Sequence, residues 1–411
     1  THKNTGKIVW QTNVQDQVNV ELTAAPLVIG DKVIVGASGG DRGVRCWIAA
    51  FDLETGKQLW KKFTIPAPGE KGSETWKDKN NAWQTGGGAL WVTGTYDPGT
   101  HQMFWGTGNP VPMFDPTYRP GDNLFTNSAI SWNPDNGDMN WYFQYLPGDG
   151  WDYDEIGTHI IIDVETRGGA RRFLTHSSRN GHVYTMDRVS SQLHLAKPYT
   201  YVNWTKGIDQ KTGKPVDYDP NRDLQVYAGT ATVTLQDRTK KMCPSPSGGN
   251  NFWPTSYSQK TGHVYISSLT VCGDLTLRPE LSNKAGDWKG GSYTVKERWE
   301  SQITINDPLT GDTKKKINLP YPNYSGNLTT AGGLLFTGKH SGEVIAFDAD
   351  TGQQVWNFRV TSGVNAQPVT WTRNGRQYVT ILSGSGGTTS QRRGLPDVPN
   401  GGAVWTFALA E

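Results

Sequence analysis

Apolar and polar positions alternate with a period of two along most of the chain, in short runs broken by turns that contain glycine. One phrase recurs: an apolar strand, Asp or Asn, a few residues, Thr-Gly or a close variant, a polar pair, then an aromatic or apolar strand. It reads KNTGKIVW at 3–10, AAFDLETGKQLW at 49–60, SWNPDNGDMNW at 131–141 and IAFDADTGQQVW at 345–356. Weaker copies without the Trp are YSQKTGHVYI at 257–266 and TINDPLTGDTKKKINL at 304–319. Each supplies a turn in which Gly takes positive φ between two strands, so each predicts a β-hairpin. Strand pairs at 25–38 and 332–348 fill the spaces between, and no segment keeps a helical period with caps.

Where the spacing is regular, copies recur about every 40–50 residues (Gly6 to Gly56, Gly311 to Gly352), the length of a four-stranded antiparallel unit with its loops. Trp10, Trp60, Trp141 and Trp356 then cover the gaps between neighbouring units. The pattern predicts an all-β protein, a β-propeller forming one domain over 1–411, with long loops at 64–88, 109–128 and 188–224; an irregular β-sandwich is the alternative.

Composition narrows the function classes. With 40 Lys+Arg against 38 Asp+Glu the net charge is +2, which implies no basic face and argues against a nucleic-acid partner. No apolar run reaches the roughly 18 residues that would predict a membrane span. Three Cys among 411 residues make no disulfide scaffold, although two could pair.

Candidate chemistry lies in four glycine-rich or acidic segments and one hairpin tip. In FWGTGNPVP (104–112), Asn109 follows a Gly-x-Gly turn and precedes Pro110, so a stiff loop projects its amide. In GDGWDYDEIGTH (148–159), Asp152 and Asp154 are separated by one residue, and on an extended segment both carboxylates point to one side. An amide plus paired carboxylates, without a His or thiolate cluster, suits a hard cation; solvated acidic turns are the plainer reading of any one Asp. GASGGDRGVRCW (36–47) presents Ser38, Asp41 and Arg45 from a loop that lets backbone approach a ligand, and lacks the ending of a P-loop. GGGALW (86–91) delivers Trp91 either to a stacking position or to another gap between units. Arg179 stands at a hairpin tip beside Asn180-Gly181, where its fork could bind carbonyl or carboxylate oxygens.

Taken together and in order, the 36–47 loop, GGGALW, WGTGNPVP, WDYD, RNGHVYTMDR (179–188) and GGNNFWPTSY (248–257) resemble the pyrroloquinoline-quinone (PQQ)-dependent alcohol dehydrogenases of the methanol and ethanol type. The resemblance covers nearly the whole chain. It implies an eight-bladed propeller with tryptophan docking, of which this chain lacks the first blade or so. It also implies oxidation of an alcohol to an aldehyde or ketone, with hydride passing to the quinone C5.

By that resemblance Asp152 is the catalytic base, Arg179 the donor to the reactive quinone oxygen, and Trp91 the floor under the ring. Thr23, Ser38, Arg45 and Asn251 hold the cofactor's carboxylates and carbonyls. Asp41, Asn109, Asp152 and Asp154 are the metal ligands, Asp41 standing where the family has Glu. Asp154 follows the lanthanide pattern, although it could instead compensate for the shortened Asp41 within a Ca²⁺ site. The resemblance pairs Cys243 with Cys272 in a disulfide and so implies the periplasm; Cys46 is left as a small buried hydrophobe.

There is no Cys-Cys dipeptide, the vicinal pair typical of the family, and no C-x-x-C-H haem motif. Electrons are therefore expected to pass to a separate soluble cytochrome c, and the remaining partner is a small-molecule alcohol, with a homodimer left open. A non-catalytic propeller scaffold and a decayed dehydrogenase that binds without turnover are the competing readings.

Overall fold

The Asp-x-x-Thr-Gly phrase closes in the same way at successive copies in the computed structural model, which describes residues 1–166, 169–227, 230–284, 288–295, 300–385 and 398–409. Asp52 Oδ1 accepts the Thr55 N–H at 2.8 Å while the Gly56 N–H returns to the Asp52 carbonyl at 2.9 Å. Asp348 with Thr351 and Gly352, and Asp307 with Thr310 and Gly311, repeat both bonds. These glycines have φ of +70°, +66° and +74°, and the strand register shifts beside each turn. That is the bulge expected of a tight connection ending in left-handed glycine.

Around these turns the chain builds antiparallel sheets. The first holds β1 (Leu27–Ile29), β2 (Lys32–Gly36), β3 (Trp47–Asp52) and β4 (Gln58–Phe63); the second holds β5 (Thr95–Asp97), β6 (Gln102–Gly106), β7 (Ser128–Trp132) and β8 (Met139–Gln144). The third holds β9 (His159–Thr166), β10 (Gly169–Ser177), β11 (His182–Asp187) and β12 (Leu193–Pro198). The chain then interleaves two sheets through β13 (Thr239–Met242), β14 (Ser256–Ser258), β15 (His263–Thr270), β16 (Gly273–Leu277), β17 (Gly291–Val295), β18 (Glu300–Asn306) and β19 (Thr313–Leu319). Of these, β14-β15-β18-β19 form a fourth blade and β13-β16-β17 a three-stranded flap inserted into it. A fifth blade follows in β20 (Leu328–Thr329), β21 (Leu334–Lys339), β22 (Glu343–Asp348) and β23 (Gln354–Arg359), and a sixth in β24 (Val369–Arg373), β25 (Arg376–Ser383) and β26 (Ala403–Ala408). The described residues thus form six blades of the ring that the resemblance implies; helix among them is limited to short 3-10 turns.

Tryptophan packs between blades. The Trp60 indole N–H donates to the Pro134 carbonyl at 3.0 Å, and its ring covers Gly137, where a β-carbon would stand 2.5 Å from it. Trp10 covers Gly56 in the same way, and Trp141 donates to the Arg188 carbonyl at 3.1 Å. Where the phrase lacks Trp, the Lys197 stem lies over Gly311; Ile317 lies over Gly352. The expected loop at 188–224 is not continuous, because β12 lies inside it. A further copy of the turn, Asp209 to Gly213, sits there too, with Phe143 covering the glycine. Its flanks are too short and polar to read as strands.

Strand alternation decides where function can sit. Links between the second and third strands of a blade, and links from one blade to the next, leave from the same face; the Asp-x-x-Thr-Gly turns leave from the opposite one. Ser38, Asp41, Arg45, Trp91, Asn109, Asp152, Asp154, Arg179 and Asn251 all fall in the first group of links.

Candidate functional site

The glycine-rich links are stitched together by backbone. Arg45 and Pro110 both bridge to Gly87, the Gly108 N–H donates to the Ala89 carbonyl at 2.8 Å, and the Gly88 N–H donates to the Asn109 carbonyl at 3.1 Å. The approach is close: a β-carbon on Gly40 would stand 3.2 Å from the Gly87 Cα. Segments far apart in sequence therefore meet as one floor.

On this floor the acids gather around one arginine. Arg179 Nη1 donates to Asp154 Oδ2 at 2.8 Å, and its Nη2 lies 3.8 Å from Asp152 Oδ2. Its Nε donates to the Pro246 carbonyl at 2.9 Å, and Nη2 reaches the same oxygen. The other oxygen of Asp154 accepts the Asn109 N–H at 2.9 Å, and the Asn109 side-chain amide donates to the Pro110 carbonyl at 3.1 Å. Asp152 has φ of +63°, so the segment is not extended as expected; both carboxylates reach Arg179 because the chain turns between them.

Three carboxylates face one guanidinium, and their acidities show the imbalance. Asp41 keeps contact with solvent, yet the protein atoms packed round it, followed by the charge of Asp154, push its carboxyl up to about 6 against the pull of Arg179. Burial raises Asp152 well above the usual carboxylate range, with Arg179 opposing and Asp41 and Asp154 adding to the rise. Burial alone would lower the Arg179 guanidinium; Asp152 and Asp154 outweigh it and hold its pKa up.

The donor set fits a hard cation in chemistry and charge: oxygen atoms only, with more negative than positive groups. It is not a closed cage, since among the described residues no three His, Cys, Asp or Glu side chains are arranged to hold a metal. The residues also fit a flat polar ring. Ser38 Oγ and Asn251 Oδ1 are buried without a hydrogen-bond partner, which asks for a ligand or water. Trp91 stands 5.9 Å from Phe252, centroid to centroid, and the hydroxyl of Thr23 donates to the Trp91 carbonyl at 3.0 Å. Arg45 is placed differently: its Nε donates to the Ile65 carbonyl at 2.8 Å, and its guanidinium lies over the Phe63 ring and pairs with Glu70.

Cys243 and Cys272 are joined, with Cα atoms 4.6 Å apart. They do not span one hairpin. Cys243 follows β13 and Cys272 precedes β16, paired strands with β14 and β15 between them in sequence. The bond thereby anchors the 243–252 link, whose Pro244 and Pro246 carbonyls receive the Tyr153 hydroxyl and Arg179. Cys46 is buried, and burial pushes its thiol up.

The sequence pattern does not single out Phe252, the Pro246 carbonyl, or Glu155, Ser178 and His176 behind the acids. Phe252 lies inside the GGNNFWPTSY motif, and Glu155 and Ser178 adjoin Asp154 and Arg179; a backbone carbonyl leaves no sequence signal.

One face of the propeller gathers acids, an arginine and an aromatic pair, and comparison with known proteins specifies the family. The family model described as the PQQ glucose/ethanol/alcohol dehydrogenase β-propeller domain matches residues 3–192 and 293–379. The chain belongs to this quinoprotein family. It is 33% identical to quinoprotein alcohol dehydrogenase PedH of Pseudomonas putida over 99% of this chain and 71% of that protein. It is 35% identical to methanol dehydrogenase [cytochrome c] subunit 1 of Methylorubrum extorquens over 93% of this chain and 64% of that protein. A solved europium-containing methanol dehydrogenase superposes with a TM-score of 0.88 at 30% identity, over 99% of this chain and 77% of that one. The chain spans from 56% to 71% of the length of such relatives. Among the described residues no helix is long and apolar enough to cross a membrane.

Proposed function

We propose that the chain is the propeller of a PQQ-dependent alcohol dehydrogenase that oxidises an alcohol to an aldehyde or ketone in the periplasm and passes electrons to a cytochrome c. The observation that carries the reading is the set of three carboxylates, Asp41, Asp152 and Asp154, facing Arg179 with Asn109 beside them. When bound, PQQ supplies a carbonyl that accepts hydride and the metal ion supplies a Lewis acid.

The chain's own residues do the rest. Asp152 takes the hydroxyl proton of the alcohol as general base, which requires it ionised; a cation among the acids lowers its pKa back toward the ordinary range. Arg179 has five N–H donors and spends some on Pro246 and Asp154, leaving others for an oxygen that gains negative charge. Trp91 and Phe252 offer apolar surface to a planar ring, and Ser38 and Asn251 offer it their unpaired polar atoms. Thr23 braces Trp91 through its carbonyl. Arg45, paired with Glu70 in this structure, would offer its guanidinium to a cofactor carboxylate.

Asp41, Asn109, Asp152 and Asp154 hold the metal, and the third carboxylate favours a trivalent lanthanide over Ca²⁺ because attraction scales with ion charge. The test is reconstitution of the purified chain with PQQ and either metal, followed by alcohol-dependent dye reduction. The reading requires that both additions be needed, with the lanthanide giving the higher rate. Absence of dye reduction under every combination overturns it.

A further inference from the structure

Behind the site lies a buried polar cluster that the proposed chemistry does not use. Glu155, His176, Ser178 and Tyr145 are each at most 1% exposed, and His159 is 3% exposed. The Ser178 hydroxyl donates to Glu155 Oε1 at 2.5 Å, and a 3.0 Å hydrogen bond joins Glu155 Oε2 to His176 Nε2. His176 stacks on His159 at 4.2 Å with the rings within 2° of parallel, and His159 Nε2 bonds the Tyr145 hydroxyl at 3.0 Å.

The sequence positions give this cluster its meaning. Asp154 and Glu155 are adjacent on one link, and Ser178 and Arg179 are adjacent on the other. Two bonds therefore join the same two segments side by side: Asp154 to Arg179 facing the site, and Glu155 to Ser178 behind it. The front bond is made by groups that the proposed chemistry redirects, Asp154 to a cation and Arg179 to an oxygen. Once they turn away, the front no longer fixes the distance between the links. The rear bond is fully enclosed, Glu155 and Ser178 both being buried, so water does not compete for it. It is backed by the Glu155 N–H donating to the Thr107 carbonyl at 3.2 Å, and by the Tyr199 hydroxyl donating to the Ser178 carbonyl at 2.7 Å.

We infer that Glu155 is a positioning residue, which through Ser178 and His176 holds the Asp152–Asp154 link and the Arg179 turn at a fixed separation. The catalytic part of this inference rests on the functional reading above; the mechanical part does not. Its test compares Glu155→Gln and Ser178→Ala with the parent chain by amide hydrogen exchange and by turnover of the reconstituted protein. Glu155→Gln keeps side-chain volume and leaves the Ser178 hydroxyl in place, whereas Ser178→Ala also removes the acceptor of the Asn180 N–H at 3.1 Å, so a change in 149–156 is what separates the clamp from that local bond.

Faster exchange in 149–156 and 176–182 together, with the other blades unchanged, is expected in each variant. The expected kinetic effect is a fall in kcat of about tenfold to a hundredfold with KM for the alcohol little changed, since misplacement of about 1 Å has that cost. The double variant should lose no more than Glu155→Gln alone. Unchanged exchange in both segments overturns the clamp whatever the activity. Faster exchange with unchanged kcat overturns its positioning role. If the parent chain itself shows no turnover, the functional reading fails while the exchange data still decide the clamp.

Discussion

Gly108 leaves only enough room for Asp154: a β-carbon at position 108 would stand 2.5 Å from Asp154 Oδ1. The same carboxylate oxygen accepts the Asn109 N–H, so two successive residues, Gly108 and Asn109, shape the seat of one acid. Gly108→Ala should push Asp154 off Asn109 and weaken metal binding by about tenfold or more, as loss of the groups that orient a ligand does. Titration with Tb³⁺, followed by luminescence sensitised through nearby Trp, checks this.

Asp154 also decides the metal in the proposed function. Asp154→Ala removes one of three carboxylates, and activity with a lanthanide should fall by more than activity with Ca²⁺. Dye reduction measured with each ion gives the ratio. An equal fall with both ions would count against the assignment of Asp154 to metal choice.

The disulfide joins residues 29 apart in sequence, a loop for which chain entropy gives about 3–4 kcal/mol. Replacing both Cys243 and Cys272 with Ser should lower unfolding free energy by an amount of that order. It should also slow turnover, because the link that offers the Pro246 carbonyl to Arg179 loses its anchor. Urea unfolding with and without reductant, alongside kcat, checks both effects.

Trp60 is nearly buried against Gly137 of the next blade. Trp60→Ala should cost about 3 kcal/mol, as removal of a large core ring does. Lys197→Ala, which strips only a stem from Gly311, should cost less than about 1 kcal/mol. Urea titration of the two variants separates them.

His182 is buried and hydrogen-bonded to Asn180, and burial lowers its pKa from 6.5 to about 4. The folded state then binds fewer protons than the unfolded state between those values, so stability rises with pH across that window. The contribution is fully present above about pH 6.5 and is lost as pH falls through about 4. His182→Gln should flatten the dependence of melting temperature on pH in that range.

Much of this is legible in the chain. The Asp-x-x-Thr-Gly phrase predicts its own turn because each residue type makes a local bond, and the copies at 257–266 and 304–319 fold as hairpins even without Trp. The shared face of the candidate residues follows from strand alternation, so the order of motifs is enough to bring them together. Long-range pairing is not legible: β13 meets β16 across two intervening strands, and nothing local announces that. The left-handed turn at Asp152 is hidden because Asp adopts either conformation more readily than most residues. Glu155 escapes notice because a third acid beside two others reads as solvated charge until its burial is seen.

That the acids around Arg179 carry alcohol oxidation is tested most directly by alcohol-dependent dye reduction, measured on the PQQ- and metal-loaded chain beside its Asp152→Asn variant. Turnover is expected in the parent, and in the variant retained cofactor with the rate down by about a hundredfold or more. Equal rates in the two proteins would contradict it.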